Sequence, residues 1–404
     1  MINIIGLGYI GLPTALMFAA HGNEVVGTDY NVSLVETLNA GKLTFTEKGL
    51  PELFEKALNS GIKFSSEYVT ADTYIVAVPT PHDTVNKKVK ADYVVSAVES
   101  VIKVCPDNAT VVIESTVSPG TIDKYIRPVV IKAMNETGKK INLAHAPERI
   151  IPGNMVYELQ NNSHTIGSDD RETGEKVKSL YATFCQGEIV LTDIRTAEMT
   201  KVVENTFRDI NIAFANELAK ICREDGMDVH EIISIANRHP RVNILQPGPG
   251  VGGHCISVDP WFLVGDYPQL TNLIRTAREV NESMPSFVFE RILKIMDNHG
   301  ISDISEVGIY GLTYKENIDD TRESPSLKLA ELSASKGHFK YYDPFVTEDI
   351  LPCQYHSLDS FLADTKLIVL MIGHNEIRTF SDKLKNHIVF DTRNIKEVTA
   401  DYSL

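Results

Sequence analysis

Cysteine is scarce in this 404-residue chain and follows no pattern. The five cysteines, Cys105, Cys185, Cys222, Cys255 and Cys353, are odd in number and scattered, with neither CxxC nor zinc-ligand spacing. That argues against a disulfide framework or a metal site, and for reduced thiols in a cytoplasm. Positive charge is also in deficit: 39 Lys and Arg against 54 Asp and Glu leave a formal charge of -15. Nucleic acid and membrane surfaces are therefore poor partners, and any anionic nucleotide must be met by locally concentrated arginines. No apolar run reaches the roughly 18 to 20 residues needed to span a bilayer. The opening MINIIGLGYIG lacks the basic start of a signal peptide. Repeats and low-complexity tracts are missing too. With 43% hydrophobic residues, the chain has material for more than one core, and its length favours two or three domains.

Short apolar runs alternate with helical stretches in the first part, the pattern of a parallel sheet built from βαβ units. INIIG (2–6), EVVGTD (24–29), TYIVAVP (73–79), TVVIEST (110–116) and NLAHAPE (142–148) each read as a strand. From about Arg195 to Glu224 the chain has no glycine or proline and reads as one helix, about 45 Å long at ~1.5 Å per residue. A glycine-proline loop, QPGPGVGGHC, occupies 246–255, and a helical segment from about Leu270 to His299 is expected to break near Pro285. EVGIYGLT, FKYYDP, KLIVLMI and HIVFDT then suggest a second, smaller sheet. The expected fold is α/β, two Rossmann-like doubly wound domains joined by a long central helix. The divisions read as 1–194 for a nucleotide-binding domain, 195–299 for a central helical region and 300–404 for the second α/β domain.

GLGYIG at 6–11 fits G-x-G-x-x-G directly after the first strand. Gly6 allows the turn, Gly8 admits a pyrophosphate to the backbone and Gly11 permits close helix packing. The motif alone is weak, but Asp29 stands 18 residues after Gly11 at the end of the second strand. A carboxylate there accepts from ribose hydroxyls and repels a 2′-phosphate, so NAD is expected rather than NADP. Pro79 and Thr80, in VPTP, and Ser115 and Thr116, in EST, end later strands on the same edge. Singly they read as strand-end punctuation; together they are candidates to line the nicotinamide.

Cys255 is the sharpest chemical signal. It follows Gly-Gly and precedes Asp259 by four residues; the glycines are expected to open access to the thiol, whereas a packing cysteine sits among apolar neighbours. His254 is given no role, and Trp261 reads as core. Lys201 and Asn205 share one helix face, with Arg208 a turn further on. The bland reading is a solvated stripe; the chemical one is an ammonium and an amide steadying an oxyanion. Glu148, in APER after a strand, is a candidate base.

With these residues in view, the chain resembles the UDP-glucose/GDP-mannose dehydrogenase family over essentially its whole length. The shared landmarks are GLGYIGLP, VPTP, ESTVSPGT, PER, K-x-x-x-N (201–205), GPGVGGHCISVDP, GLTYKENIDDTRESP and DTRN. Within the family, PGPGVGGHCISVDPWFL and ENTFRDINIAFANEL are most similar to members acting on UDP-N-acetylmannosamine, with those acting on UDP-N-acetylglucosamine next.

The resemblance implies a four-electron oxidation of a UDP-sugar C6 hydroxymethyl to a carboxylate, using two NAD in succession. Cys255 would trap the aldehyde as a thiohemiacetal and carry a thioester; Asp259 with a water would take the first proton. Lys201 and Asn205 would steady oxyanions and Glu148 would assist hydrolysis. Tyr9, Ile10 and Arg322 join the cofactor residues. Arg149, Arg208, Gly252, Lys315 and Arg393 join Glu148, Lys201 and Asn205 at the substrate. Arg241 would reach a neighbouring subunit's substrate, implying a homodimer or higher homo-oligomer. For Lys315, Arg322, Arg241 and Arg393 a surface salt bridge is the plain alternative. One departure stands out: where UDP-glucose enzymes carry a second Glu four residues after the first, this chain has Pro152. The alternatives are a UDP-N-acetylglucosamine or UDP-glucose 6-dehydrogenase, a two-electron hydroxyacid-type dehydrogenase, or a non-catalytic nucleotide sensor on the same scaffold.

Overall fold

Isoleucine- and valine-rich runs become strands because both faces of a parallel sheet are covered. A computed structural model describes residues 1–83, 85–253 and 255–404. These divide into two compact units, Met1–Glu204 and Asn205–Leu404.

Among the described residues, the first unit holds a sheet in the order β3-β2-β1-β4-β5-β6-β7-β8. Its strands are β1 (Ile2–Ile5), β2 (Val25–Thr28), β3 (Lys63–Ser65), β4 (Thr73–Val76), β5 (Ala109–Ile113), β6 (Ile141–His145), β7 (His164–Ser168) and β8 (Ile189–Thr192). All pairings are parallel except β6 with β7. Side chains alternate between two cores. Ile4, Ile75 and Val112 join one cluster, while Ile5, Val76, Val111 and Ile113 join that on the other face. The helix Gly11–Ala20 is buried along its whole length, as expected for a helix hydrophobic on every side.

The second unit carries the order β11-β10-β9-β12-β13-β14, with β9 (Val307–Tyr310), β10 (Lys340–Tyr342), β11 (Gln354–Tyr355), β12 (Leu367–Leu370), β13 (Ile388–Asp391) and β14 (Tyr402–Ser403), all parallel. Again the faces alternate: Ile309, Tyr341, Val369 and Phe390 lie in one cluster and Tyr310, Tyr342, Leu370 and Val389 in the other. The helix Ile194–Glu224 is unbroken for 31 residues, and the division between the units falls within it.

Two expectations need correction. The strands stop two or three residues short of several apolar runs, because the residues after them turn into the strand-end loops. The segment around Pro285 does not break: one helix runs from Asn272 to Asn298 with Pro285 inside it. Local cost for an interior proline is about 3 kcal/mol. Full burial of Met284, Val288 and Ile292, at ~1.5–3 kcal/mol for each large apolar side chain, outweighs that cost.

Candidate functional site

In the first unit the glycine turn follows β1. Gly6 has φ +91°, and a Cβ there would stand 2.6 Å from the Ala77 carbonyl oxygen. Its N–H donates to Thr28 O at 2.8 Å, anchoring the turn to β2. A Cβ on Gly11 would meet Gly6 O at 1.9 Å, so only glycine lets the helix start so close to the strand. Gly8 is exposed, and a Cβ there would meet nothing within 4 Å; that open side suits the approach of a diphosphate. Tyr9 and Ile10 are half-buried, Tyr9 packing its ring 4.5 Å from Phe45. Asp29 follows β2, and its carboxylate is oriented by the N–H groups of Leu7 at 2.8 Å and Asn31 at 2.9 Å. It is only half-buried, and a carboxylate so held retains lone pairs for hydroxyl donors. These residues fit a dinucleotide.

The other strand-end candidates tie their loops together. Thr80 donates from Oγ1 to Thr116 O at 2.6 Å, and Ser115 donates from Oγ to Val78 O at 2.7 Å. Pro79 is exposed beside them.

Glu148, after β6, is buried; its Oε1 accepts the Arg149 N–H at 2.6 Å and its Oε2 lies 4.0 Å from His164 Nδ1. Arg149 is engaged locally, by Glu204 at 2.5 Å and by the carbonyl and hydroxyl of Ser163. Lys201 is buried, so the solvated-stripe reading fails for it, as it does for Asn205.

The second unit brings Asn205 and Asp259 together: Asn205 Nδ2 donates to Asp259 Oδ2 at 2.6 Å, both side chains being buried. Asp259 begins the helix Asp259–Asp266, and the Cys255 carbonyl accepts the Asp259 N–H at 2.8 Å. Cys255 is exposed, one tight turn before that pair. His254 lies outside the described residues.

The glycines here have a packing role that the expectation above did not include. A Cβ on Gly252 would stand 2.6 Å from Tyr314 Cβ, and one on Gly253 would stand 2.7 Å from the Tyr314 ring. The Gly253 N–H also donates to Arg322 O at 2.9 Å. The glycines thus seat the loop against the 314–325 segment. Gly248 makes room for Arg393, whose Nη1 would stand 2.7 Å from a Cβ at that position. Arg322 forks onto Asp320, with contacts from 2.6 to 3.1 Å. Lys315 is half-buried, and Arg208 and Arg241 are exposed. Trp261 is buried as expected, its Nε1 donating to Glu282 at 3.1 Å.

Sequence reading missed the polar frame beneath this loop. Arg278 pairs with Asp209 at 2.7 Å, both buried. Asn281 donates to Asp209 at 2.8 Å, Asn216 donates to Asn281 at 2.8 Å, and the Gly248 N–H donates to Asn216 at 2.9 Å. The only available signal was the polar residues recurring within otherwise apolar helical stretches. Glu114, buried after β5, also went unassigned.

A glycine turn with an acid at the next strand end, a second doubly wound unit and a displayed cysteine beside an Asn–Asp pair define a nucleotide-dependent α/β dehydrogenase. The chain belongs to the UDP-glucose/GDP-mannose dehydrogenase family. It matches the family's NAD-binding domain over residues 1–185, its central domain over 195–283 and its UDP-binding domain over 308–397. It is 45% identical to the UDP-N-acetyl-D-mannosamine dehydrogenase of Methanocaldococcus jannaschii, over 97% of this chain and 92% of that one. Identity to the enzyme of that name from Escherichia coli K12 is 40%, over 98% of both chains. The UDP-N-acetyl-mannosamine dehydrogenase structure from Staphylococcus aureus superposes with a TM-score of 0.88 at 38% identity, covering 100% of this chain and 97% of that one. The chain is an NAD-dependent nucleotide-sugar oxidoreductase. No helix among the described residues is long and apolar enough to cross a membrane.

Proposed function

We propose that this protein oxidises C6 of UDP-N-acetyl-D-mannosamine to the carboxylate in two steps through a covalent bond to Cys255. The carrying observation is the exposed Cys255 one turn before the hydrogen-bonded Asn205–Asp259 pair. The substrate assignment is supported by the relatives' activity and by Pro152. NAD, when bound, accepts a hydride in each oxidation. Asp259, through a water, receives the C6 hydroxyl proton. The Cys255 sulfur bonds to the aldehyde carbon as its proton passes to the carbonyl oxygen, giving a thiohemiacetal, and loss of the second hydride together with that hydroxyl proton, which leaves through water, gives a thioester. Glu148 takes a proton from water as the water oxygen bonds to the acyl carbon. The C–S bond then breaks with its electron pair on sulfur. Lys201 and Asn205 steady the oxyanions at both tetrahedral stages.

In this reading residues 1–194 hold the cofactor through Gly6, Gly8, Tyr9, Ile10, Gly11, Asp29, Pro79, Thr80, Ser115 and Thr116, and Arg322 reaches it from elsewhere in the chain. Residues 195–299 carry the chemical residues other than Glu148, and 300–404 hold the UDP moiety. Arg149, Arg208, Gly252, Lys315 and Arg393 contact substrate. Exposed Phe207, Phe214 and Ile221, spaced seven apart on one helix, support a homodimer to which Arg241 contributes.

Counting products tests the covalent route. Wild type yields two NADH per uronate without free aldehyde, and Cys255→Ala loses uronate formation by about three orders of magnitude or more, because water replaces a held thiolate. Near wild-type uronate formation by Cys255→Ala would instead favour the two-electron or hydrated-aldehyde route. Higher kcat/KM for UDP-glucose or UDP-N-acetylglucosamine would reassign the sugar.

A further inference from the structure

The first unit buries two carboxyls near one another, and the proposed mechanism uses only one. Glu114 follows β5 and Glu148 follows β6, adjacent strands with Ile113 opposite His145. Glu114 is 1% exposed. Its Oε1 accepts from the Tyr181 hydroxyl at 3.0 Å and from Thr14 at 3.3 Å. Its Oε2 is buried without a hydrogen-bond partner, and so is Glu148 Oε2. His164 lies 4.0 Å from the latter, and its ring stands 5.3 Å from Tyr181. His145, below them, donates from Nδ1 to Ile113 O at 2.7 Å; burial pushes its pKa down to about 4, leaving it neutral. Burial and the opposing Glu148 charge hold the Glu114 carboxyl well above the ordinary range. Burial, with a contribution from the same Glu148 charge, also raises the Cys185 thiol.

Two anions cannot both persist in so dry a place, and two orphaned carboxyl oxygens lack one proton between them. We propose that this buried pair holds a single proton that rests on Glu114, making Glu114 the positioning acid behind the proposed base Glu148. This rests on the function proposed above. It also gives Pro152 a counterpart. The second carboxyl that the family resemblance leads one to expect four residues after Glu148 arrives here from the neighbouring strand.

Infrared difference spectroscopy on the full-length protein reads the proton without reference to activity. Near neutral pH, wild type shows a protonated-carboxyl component, beyond that of Glu198, that Glu114→Gln removes and Glu148→Gln leaves in place. Loss of the band in Glu148→Gln instead, or in neither variant, overturns the proposal. In kinetics, Glu114→Met moves the acid limb of uronate formation upward by about one pH unit, equivalent to about tenfold in kcat on that limb, with KM values little changed. Glu114→Gln, a neutral polar replacement of the same shape, recovers most of that loss. An unmoved limb in Glu114→Met also overturns the proposal; should that variant not fold, the Gln variant carries the infrared readout. If Cys255→Ala retains uronate formation while the Glu114 band behaves as stated, the covalent route falls and the shared proton stands.

Discussion

The two sheets begin with the same turn and use it differently. Gly6 and Gly311 follow β1 and β9 with φ +91° and +94°. Each donates its N–H at 2.8 Å to the neighbouring strand, to Thr28 O and Tyr342 O. An aspartate ends that neighbour in both cases and accepts the N–H of the leucine after the glycine: Leu7 to Asp29 at 2.8 Å, Leu312 to Asp343 at 2.7 Å. Beyond that the two part. Asp29 is half-buried and held by backbone donors. Asp343 is 2% exposed and also takes Thr313 N–H at 3.1 Å, Phe345 N–H at 2.8 Å and His374 Nε2 at 3.1 Å. Where the first turn has Gly8 and Gly11, the second has Thr313 and Glu316. The turn solves a strand-to-loop problem in both; whether its acid stays open to a ligand or is consumed inside the fold sets the two apart.

Asp343→Ala is therefore the most damaging test. It strands the buried His374 and the N–H groups of Leu312 and Thr313, each orphaned group costing ~1–3 kcal/mol, so a loss of about 4 kcal/mol is expected in chemical denaturation. A loss below about 1 kcal/mol would mean that the buried acid is not structural. Asp29→Ala leaves backbone donors near solvent, so its stability cost is ~1 kcal/mol. Its effect shows in kcat/KM, with NAD use falling about tenfold, a lost charge-assisted hydrogen bond, and NADP use falling less. Comparable wild-type kcat/KM for NAD and NADP would break the assignment of Asp29 to the ribose.

The smallest effect is in pH dependence, and its sign differs between the units. In the first, burial raises Glu198 to about 7, although Gly120 and Ile122 N–H groups oppose the shift. A raised acid contributes stability that is whole below its unfolded value of 4.5 and fades as pH climbs to about 7. In the second, burial pushes Asp343 up, but hydrogen bonding and charge from His374 and backbone donors hold it below 3.8. Its contribution is whole above 3.8 and is lost as pH falls through the lower folded value. Melting curves should show the advantage of wild type over Glu198→Gln shrinking by a few degrees from pH 4.5 to 7; a widening gap would reverse the sign argued here.

This pairing shows what a sequence displays and what it hides. The first turn was legible because glycine spacing and an acid at a strand end are local signals. YYDP carries the same acid at Asp343, but nothing near it announces His374, which lies 31 residues on. Glu114 escaped for the same reason: its meaning depends on Tyr181 and Glu148, brought up by other elements. Pro285 signals a break that does not occur, because the packing that overrides its local penalty is not visible in the sequence around it. Cys255 stood out as a residue, while the purpose of its glycines emerged only with Tyr314 beside them.

The hydrogen-bond frame under the Cys255 loop bears on the order in which the chain folds. Gly248 is fastened to Asn216, which is fastened to Asn281, 65 residues away. Contacts of such separation form late, after the costly closure of the intervening chain. The loop therefore gains its native anchoring only once the helices Ile194–Glu224 and Asn272–Asn298 have docked. A nascent or half-folded chain carries the thiol without its setting, so the native setting of Cys255 is a late product of folding rather than a property of the loop.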